Sequence, residues 1–321
     1  MTNLLRAPAL WRARTVTRDW TNAHLNRPVA RALKVAAALR RGADVLYFGD
    51  SSLVFTSPHD QDRRRLGEML ADEAGVRVAQ YYGPAYSAPL HAELARLIAP
   101  LPRPGCVVVS MPIRPTLRHV TAHPMFSYAG ALAALRAATG IDQHLLRALY
   151  KRSATDAEYA AFEAITRPTR WQLGRSFGDY RRRLRGYDPA GADEDRQRLL
   201  FDYFHGEFGA DTDGADRWRA FGRYLRELQV PVFFYRTYMP MQRGAALFGD
   251  SFTTHVEENF ALIEEGFLQG LDGGGGRVPV GVIPDELFIA ATDGTEHYNE
   301  RGRHHVIAAL RPLVQAHVAR R

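Results

Sequence analysis

Cysteine, lysine and asparagine are all scarce in this sequence. The scarcity of cysteine already excludes classes of protein. The one cysteine, Cys106, rules out a disulfide or a cysteine-based metal cluster within the chain. Only Lys34 and Lys151 are lysines, so arginine supplies nearly all of the positive charge behind the net +7. This bias is expected of a GC-rich coding sequence and does not require an acidic partner. The arginine clusters at 63–65 and 181–183 lack a basic-aromatic recognition motif, so we do not expect nucleic-acid binding.

Long apolar runs are also absent. No stretch approaches the ~18 apolar residues of a membrane-spanning helix, and Arg6 and Pro8 interrupt the region where a signal peptide would carry its apolar core. We therefore expect a soluble cytoplasmic protein without a transmembrane segment. The segment 11–41, rich in arginine, alanine and leucine, is predicted to be a helix packed on the domain, and a surface for a membrane or a partner is the alternative.

Five short apolar runs, rich in β-branched or aromatic residues, predict buried strands. They cover residues 44–48, 76–82, 106–111, 230–235 and 278–283. Amphipathic helical stripes follow at 66–74, 90–98 and 306–314. Strands that alternate with helices and lack polar alternation indicate a parallel sheet between two helical layers, an α/β/α sandwich. In such sheets ligands bind beyond the carboxyl ends of the strands.

The predicted organisation has three parts: an N-terminal helical segment at 1–42, an α/β domain formed by 43–123 and 228–321, and a helical insertion at 124–227. The insertion is rich in aromatic residues. These residues form either a lid or wall over the substrate, or a small core of the insertion itself. The glycine-rich run 272–276 is predicted to be a flexible connection before the last strand.

Two short blocks contain residues suited to catalysis. The first, Gly49-Asp50-Ser51, follows the first predicted strand, where glycine permits a tight turn and the serine hydroxyl is presented beyond the strand end. The second, at 292–303, leads into the last apolar helix and contains His297. A histidine on the turn before a helix can accept the serine's proton when an acid orients its other ring nitrogen.

With these two blocks in this order, the chain resembles the GDSL/SGNH hydrolase family, and the resemblance covers most of the chain outside the insertion. It implies a flavodoxin-like α/β/α sandwich that hydrolyses a small acyl ester, such as one of a carbohydrate or lipid, without a cofactor or metal. By position, Ser51 matches the nucleophile, His297 the general base and Asp293 the acid of the triad. Gly83 matches the glycine whose N–H group joins that of Ser51 in the oxyanion hole.

The chain departs from the family where an asparagine normally follows the third strand. No asparagine occurs between Asn26 and Asn259, and the position reads Val-Ser-Met-Pro-Ile-Arg, ending at Arg114. Arg114 is the nearest candidate for the missing oxyanion donor, because a guanidinium offers several N–H groups and a positive charge. The alternative is that Arg114 only pairs with a surface carboxylate.

A second departure concerns the acid. Asp293 precedes His297 by four residues, where the family pattern has three, so either Asp293 or Glu296 is left to orient the imidazole, with Asp293 preferred. The expected activity is that of an esterase or deacetylase. An O-acyltransferase with the same triad and a catalytically silent domain that binds a glycan or protein are the alternatives.

Two further motifs are given structural interpretations. Gly249-Asp250-Ser251 repeats the tripeptide that contains Ser51, but no clear strand precedes it. Asp250 or Ser251 is therefore predicted to be a helix N-cap. His119 and His123 are spaced for a metal on a helix face, yet they lack a third ligand, and no metal site is expected.

Overall fold

The computed structural model describes residues 27–57, 59–116, 127–153, 213–289 and 296–318. Helices and strands alternate as far as Pro112, after which helices also follow one another directly. In order they are α1 (Arg27–Arg40), β1 (Val45–Phe48), α2 (Leu66–Ala74), β2 (Val78–Tyr81), α3 (Ala88–Ile98), β3 (Cys106–Pro112), α4 (Ala129–Ala137), α5 (Gln143–Ser153), α6 (Asp213–Glu227), β4 (Val232–Thr237), α7 (Met241–Phe248), α8 (Asp250–Gly270), β5 (Gly275–Arg277) and α9 (Glu300–Val318). Across these ranges, no helix combines the length and the apolar character needed to cross a membrane.

The five strands form one parallel sheet in the order β2-β1-β3-β4-β5, which confirms the predicted three-layer α/β/α sandwich. This is the strand order of flavodoxin-like proteins. The register sets Phe48 of β1 beside Tyr81 of β2 and Val109 of β3. The carboxyl ends of these three strands therefore lie at one edge of the sheet, where the chemistry is expected.

Each face of the sheet is covered by its own helices. The larger core lies on the face covered by α1, α3, α4, α6 and α8. The smaller core lies on the opposite face, under α2 and α9. Residues alternate between the two cores, so that Phe48 of β1 and Phe234 of β4 enter the larger core while Tyr47 and Tyr235 enter the smaller one. Burial on both faces explains the continuous apolar runs of the strands.

The predicted fifth strand at 278–283 is wrong, and so is the interpretation of the glycine run before it as only a connection. The strand is Gly275–Arg277, which pairs with Val232–Phe234 of β4. After the Val278 N–H group donates to Phe234 O at 2.7 Å, the chain leaves the sheet. Val278, Val280 and Ile283 are nevertheless buried in the smaller core. Their apolar character reflects burial in that core rather than pairing in the sheet.

Within the interval 124–227, the structure describes α4, α5 and α6. Helices α4 and α5 pack against each other and contribute Tyr128, Leu135 and Leu146 to the larger core. Helix α6 packs on α3 and α8, with Trp218 and Phe221 buried between them. Residues 154–212 lie outside the described residues, so the predicted limits and lid role of the insertion stay predictions.

Candidate active site

Ser51 and His297 meet at the carboxyl edge of the sheet, although 246 positions separate them in the sequence. Ser51 begins a short 3-10 turn directly after β1, and His297 lies just before α9. The Ser51 Oγ atom is 3.1 Å from His297 Nε2, within hydrogen-bonding distance. Both side chains are buried. The structure therefore brings together the two residues that the sequence singled out as nucleophile and base.

The turn that carries Ser51 is held by local and distant contacts. Asp50 is fully buried, and its Oδ1 atom accepts a hydrogen bond from the Ser52 N–H group at 2.9 Å, which tightens the turn. The Gly49 N–H group donates to Tyr81 O of β2, and Gly49 O lies 3.3 Å from His91 Nε2 on α3. These contacts fix the peptide groups on both sides of the nucleophile.

The segment that carries His297 is held by a short antiparallel pairing. Phe288 forms a β-bridge with Tyr298, and the Ile289 N–H group donates to His297 O at 2.8 Å. Asn299 accepts from the Gly302 N–H group and so caps the start of α9. The Phe55 ring stacks on the imidazole with its centroid 4.2 Å away. The position of the imidazole is thus set by backbone pairing, a helix cap and an aromatic contact.

The environment of His297 favours the neutral imidazole. Burial, reinforced by the nearby Arg114 guanidinium, holds the pKa of His297 well below its usual value. A neutral imidazole can accept a proton from the Ser51 hydroxyl, whereas an imidazolium cannot. The pair therefore has both the geometry and the protonation state that a general base requires.

Arg114 lies on the short turn that follows β3, and its side chain is 2% exposed. Its Nη2 atom donates to Ser51 Oγ at 3.2 Å and forms an ion pair with Glu296 Oε1 at 2.5 Å. The partner carboxylate is buried, so the alternative of a pair with a surface carboxylate is wrong. A donor this close to Oγ is also near the place where the oxyanion of a tetrahedral intermediate on the serine would form.

Glu296 faces a second carboxyl group, that of Asp50. Burial raises the pKa of Glu296 to about 8, with the Asp50 carboxylate acting in the same direction and Arg114 opposing both. The dry surroundings and the neighbouring Asp50 carboxyl group thus both favour the protonated form of Glu296.

Gly83 lies two residues beyond β2, at the same sheet edge as Ser51. A Cβ atom on Gly83 would approach the Tyr86 ring to 2.3 Å, so only glycine fits this close approach. The Tyr86 N–H group donates to Gly83 O, which fixes the turn. The position is the one predicted for an oxyanion donor, and that role stays a prediction.

The acid of the expected triad is not settled by the described residues, because Asp293 lies outside them. Glu296, the alternative, directs its carboxyl group to Arg114 and Asp50. Ser110, near the end of β3, shares a 2.7 Å hydrogen bond with Thr237.

The second Gly-Asp-Ser block lies at the start of α8, and its predicted cap is wrong. Gly249, with a φ of 78°, occupies the N-cap position, and no side chain caps the helix there. Asp250 is already the first helical residue, while Ser251 is exposed and donates back to Phe248 O. The left-handed conformation separating α7 from α8 requires glycine at this position. His119 and His123 lie outside the described residues.

Sequence reasoning missed the contribution of four residues: Asp50, Phe55, His91 and Glu296. Asp50 was visible only as part of the nucleophile block, and Phe55 as an ordinary apolar residue. His91 lies within the apolar stripe of α3, and a histidine on a buried face was a signal worth following. The sequence suggests Glu296 only as a partner of the adjacent His297. Its contact with Arg114 joins positions 182 apart and leaves no local signature in the sequence.

The comparisons with known proteins give no family for this chain. No protein-family model matches the sequence, and no protein of curated function matches it significantly. The functional interpretation therefore depends on the residues of the site and their geometry.

Proposed function

We propose that the protein is a serine-dependent ester hydrolase of the GDSL/SGNH type, acting on a small acyl ester such as an acetylated carbohydrate or lipid. The observation that carries this proposal is the 3.1 Å approach of Ser51 Oγ to His297 Nε2 at the carboxyl edge of the sheet. The low pKa of the imidazole supports the same role, since it keeps the base unprotonated at neutral pH.

In this mechanism Ser51 Oγ attacks the ester carbonyl carbon while His297 Nε2 takes the hydroxyl proton. The carbonyl oxygen becomes an oxyanion that accepts hydrogen bonds from the Ser51 and Gly83 N–H groups and from Arg114. His297 then gives its proton to the departing alcohol, and the acyl group stays on Ser51. Water, deprotonated by His297, releases the acid and restores the serine. Asp293 is proposed to orient the imidazole.

Arg114 takes the place of the family's asparagine in this proposal. Its Nη2 atom lies 3.2 Å from Ser51 Oγ, and the carbonyl oxygen of an attacked ester would lie near that atom. Loss of one oxyanion donor typically costs about 100- to 1,000-fold in rate. A positively charged donor in a buried site can therefore account for a substantial part of the expected acceleration.

An O-acyltransferase is the second candidate, favoured by the burial of the catalytic pair. Ser51 is 2% and His297 5% exposed. A site that keeps bulk water away from an acyl-serine gives an alcohol acceptor more time to react. The chemistry is the same up to the acyl-enzyme, and the acceptor alone differs.

The decisive experiment is labelling of the purified protein with a fluorophosphonate probe, together with turnover of a short activated acyl ester. We expect labelling at Ser51, and loss of labelling and turnover in Ser51→Ala. His297→Gln should reduce both by about 10,000-fold or more, because the serine loses its base. Ser251→Ala, in the second Gly-Asp-Ser block, is the matched control and should behave as the wild type.

Each outcome has a distinct meaning. Turnover that persists in Ser51→Ala would exclude Ser51 as the nucleophile. Folded wild-type protein that neither reacts with the probe nor cleaves the ester would favour a catalytically silent binding domain. Product analysis in the presence of an added alcohol separates the two enzymes, since an acyltransferase gives mainly the new ester and a hydrolase mainly the free acid.

A further inference from the structure

The Arg114 guanidinium has a buried carboxyl group beside it as well as the Ser51 hydroxyl. Its Nη2 atom contacts Ser51 Oγ and also forms the 2.5 Å ion pair with Glu296. The side chains of Arg114 and Glu296 are 2% and 1% exposed, so neither exchanges this contact for water. We propose that Glu296 is a positioning residue that holds the Arg114 guanidinium beside Ser51, and this rests on the proposed function of Arg114 as an oxyanion donor.

An arginine needs such support more than an asparagine does. Its side chain has four rotatable bonds and loses rotamer freedom when it is held in one conformation. Arg114 also starts from a short turn beyond β3 rather than from the strand itself. The Glu296 carboxyl group, 2.5 Å from the same nitrogen that contacts Ser51 Oγ, therefore restricts the guanidinium to this position.

Asp50 lies beside the same carboxyl group. Its Oδ1 atom accepts from the Ser52 N–H group, and its other oxygen is buried near Glu296. Among the described residues, Arg114, Asp50 and the Tyr298 hydroxyl face the Glu296 carboxyl. Because the pKa of Glu296 is raised to about 8, its protonated form is favoured, and a protonated carboxyl group is far less costly to bury than a carboxylate.

This arrangement makes an unusual prediction about substitutions of Glu296. Glutamine has the shape of the protonated acid, so in Glu296→Gln the amide oxygen can accept from Arg114 while the amide N–H donates to Asp50. Aspartate keeps the charge but is shorter by one methylene and cannot reach both partners. If Glu296 serves only as an ion-pair partner, Glu296→Asp should reduce the rate of probe labelling less than Glu296→Gln does. If Glu296 positions Arg114, Glu296→Gln should be the variant with the smaller loss of rate.

We expect Glu296→Gln to remain within about 3-fold of the wild-type rate of fluorophosphonate labelling. Glu296→Asp should fall on the order of 100-fold, because a displacement of about 1 Å in a catalytic group costs that much. The Asp substitution should have no further effect in an Arg114→Gln background, since the positioned group is then absent. Glu264→Gln on α8, which alters the buried pair with Arg236 of β4, controls for loss of a buried carboxylate and should leave the rate unchanged.

A second measurement does not require activity. Because Arg114 lowers the pKa of His297, its withdrawal should raise that pKa, which NMR of the imidazole reports directly. We expect a higher His297 pKa in Glu296→Asp and in Arg114→Gln, and the wild-type value in Glu296→Gln. His297→Gln identifies the resonance, and thermal melting verifies that each variant is folded.

The outcomes separate this inference from the proposed function. Wild-type protein that resists the probe, with the His297 pKa shifting as expected, would refute the hydrolase and support the positioning role. A reactive wild type in which Glu296→Asp equals or exceeds Glu296→Gln would retain the hydrolase and overturn the positioning role. The positioning role is also overturned if Arg114→Gln reacts as fast as the wild type.

Discussion

Among single residues, His91 packs against the turn that carries Ser51, the proposed nucleophile, through its contact with Gly49. Its ring lies in an aromatic cluster with Phe48, Tyr81 and Phe221, and its Nε2 atom faces Gly49 O at 3.3 Å. Since a carbonyl oxygen can only accept, the Nε2 position carries a proton, and burial, which lowers the pKa of His91, keeps the other ring nitrogen unprotonated. The nucleophile turn therefore depends on a histidine that must stay uncharged.

This requirement gives a pH dependence of stability. Burial lowers the pKa of His91 from 6.5 to about 3, so below pH 6.5 the unfolded chain binds a proton that the folded chain does not. The stability that neutral His91 contributes is fully present above pH 6.5 and is lost as the pH falls toward 3, by about 5 kcal/mol. Urea unfolding at a series of pH values should show this decline in the wild type.

His91→Gln should flatten part of the decline, because glutamine can still donate to Gly49 O and does not titrate. Some acid sensitivity should remain, since the pKa of His297 is lowered in the same direction. Substitution of the exposed His144 by glutamine provides the control. Parallel stability curves for wild type and His91→Gln between pH 6.5 and 3 would contradict this account of His91.

At this scale the sequence predicted the pair Ser51 and His297 and the candidate Arg114, because each directly follows a strand or precedes a helix of recognisable pattern. It did not predict the Glu296–Asp50 contact. The side chain of a residue next to a site residue is expected to point away from it, and only the fold shows that Glu296 points toward Arg114. Contacts between distant turns have no local signature in the sequence.

Among the elements, helices α6 and α8 pack with their backbones in contact at two glycines. A Cβ atom on Gly266 would lie 2.4 Å from Ala215 O, and one on Gly270 would lie 2.2 Å from Arg219 O. At these two positions the backbones touch, and there is no room for a side chain. This contact sets the depth at which α6 presents Trp218 and Phe221 to the larger core.

We expect Gly266→Ala to destabilise the protein by roughly 1–3 kcal/mol. Alanine favours an isolated helix by about 1 kcal/mol relative to glycine, so a net loss would show that the steric clash exceeds the propensity gain. Gly140→Ala is the control, because a Cβ there has open space and should change stability by less than about 0.5 kcal/mol. Chemical unfolding measures both. A more stable Gly266→Ala would mean that the helices can separate without cost.

Most elements were predictable from hydrophobic pattern, and β5 shows where the pattern fails. The signal at 278–283 is stronger than that of Gly275–Arg277, since it contains the apolar residues. Apolar residues indicate burial, but strand pairing is made by backbone groups, which glycine also possesses. At the edge of this sheet, pairing is made by Gly275–Arg277, whereas burial involves the apolar residues that follow.

Across the whole molecule, a buried ion pair joins the segment after the nucleophile to the last helix. Arg303 Nη1 donates to Asp60 Oδ2 at 2.7 Å, and the two side chains are 1% and 6% exposed. Asp60 also accepts from the Ser57 and Glu300 N–H groups, while Glu300 accepts from the Gln61 N–H group. The connection holds the Ser51 region and the His297 region at a fixed separation.

Asp60→Ala should therefore lower the free energy of unfolding by about 3–5 kcal/mol, because it leaves Arg303 buried without this carboxylate. It should also slow probe labelling at Ser51, since the serine and the histidine are no longer held together. Asp72→Ala is the matched control. It removes an exposed partner of Arg64 and should cost less than about 1 kcal/mol. If Asp60→Ala labels at the wild-type rate, the connection does not set the catalytic distance.

The hydrogen bond between Ser51 and His297 closes a loop of 246 residues, and it forms only after β1 and the segment before α9 have reached the same sheet edge. Under the proposed function, Ser51 in a chain that has not yet docked α9 would lack its base and would be an ordinary, unreactive serine. Reactivity toward a fluorophosphonate would thus report completion of folding. In a partly folded or truncated chain, Ser51 would not react nonspecifically with other esters.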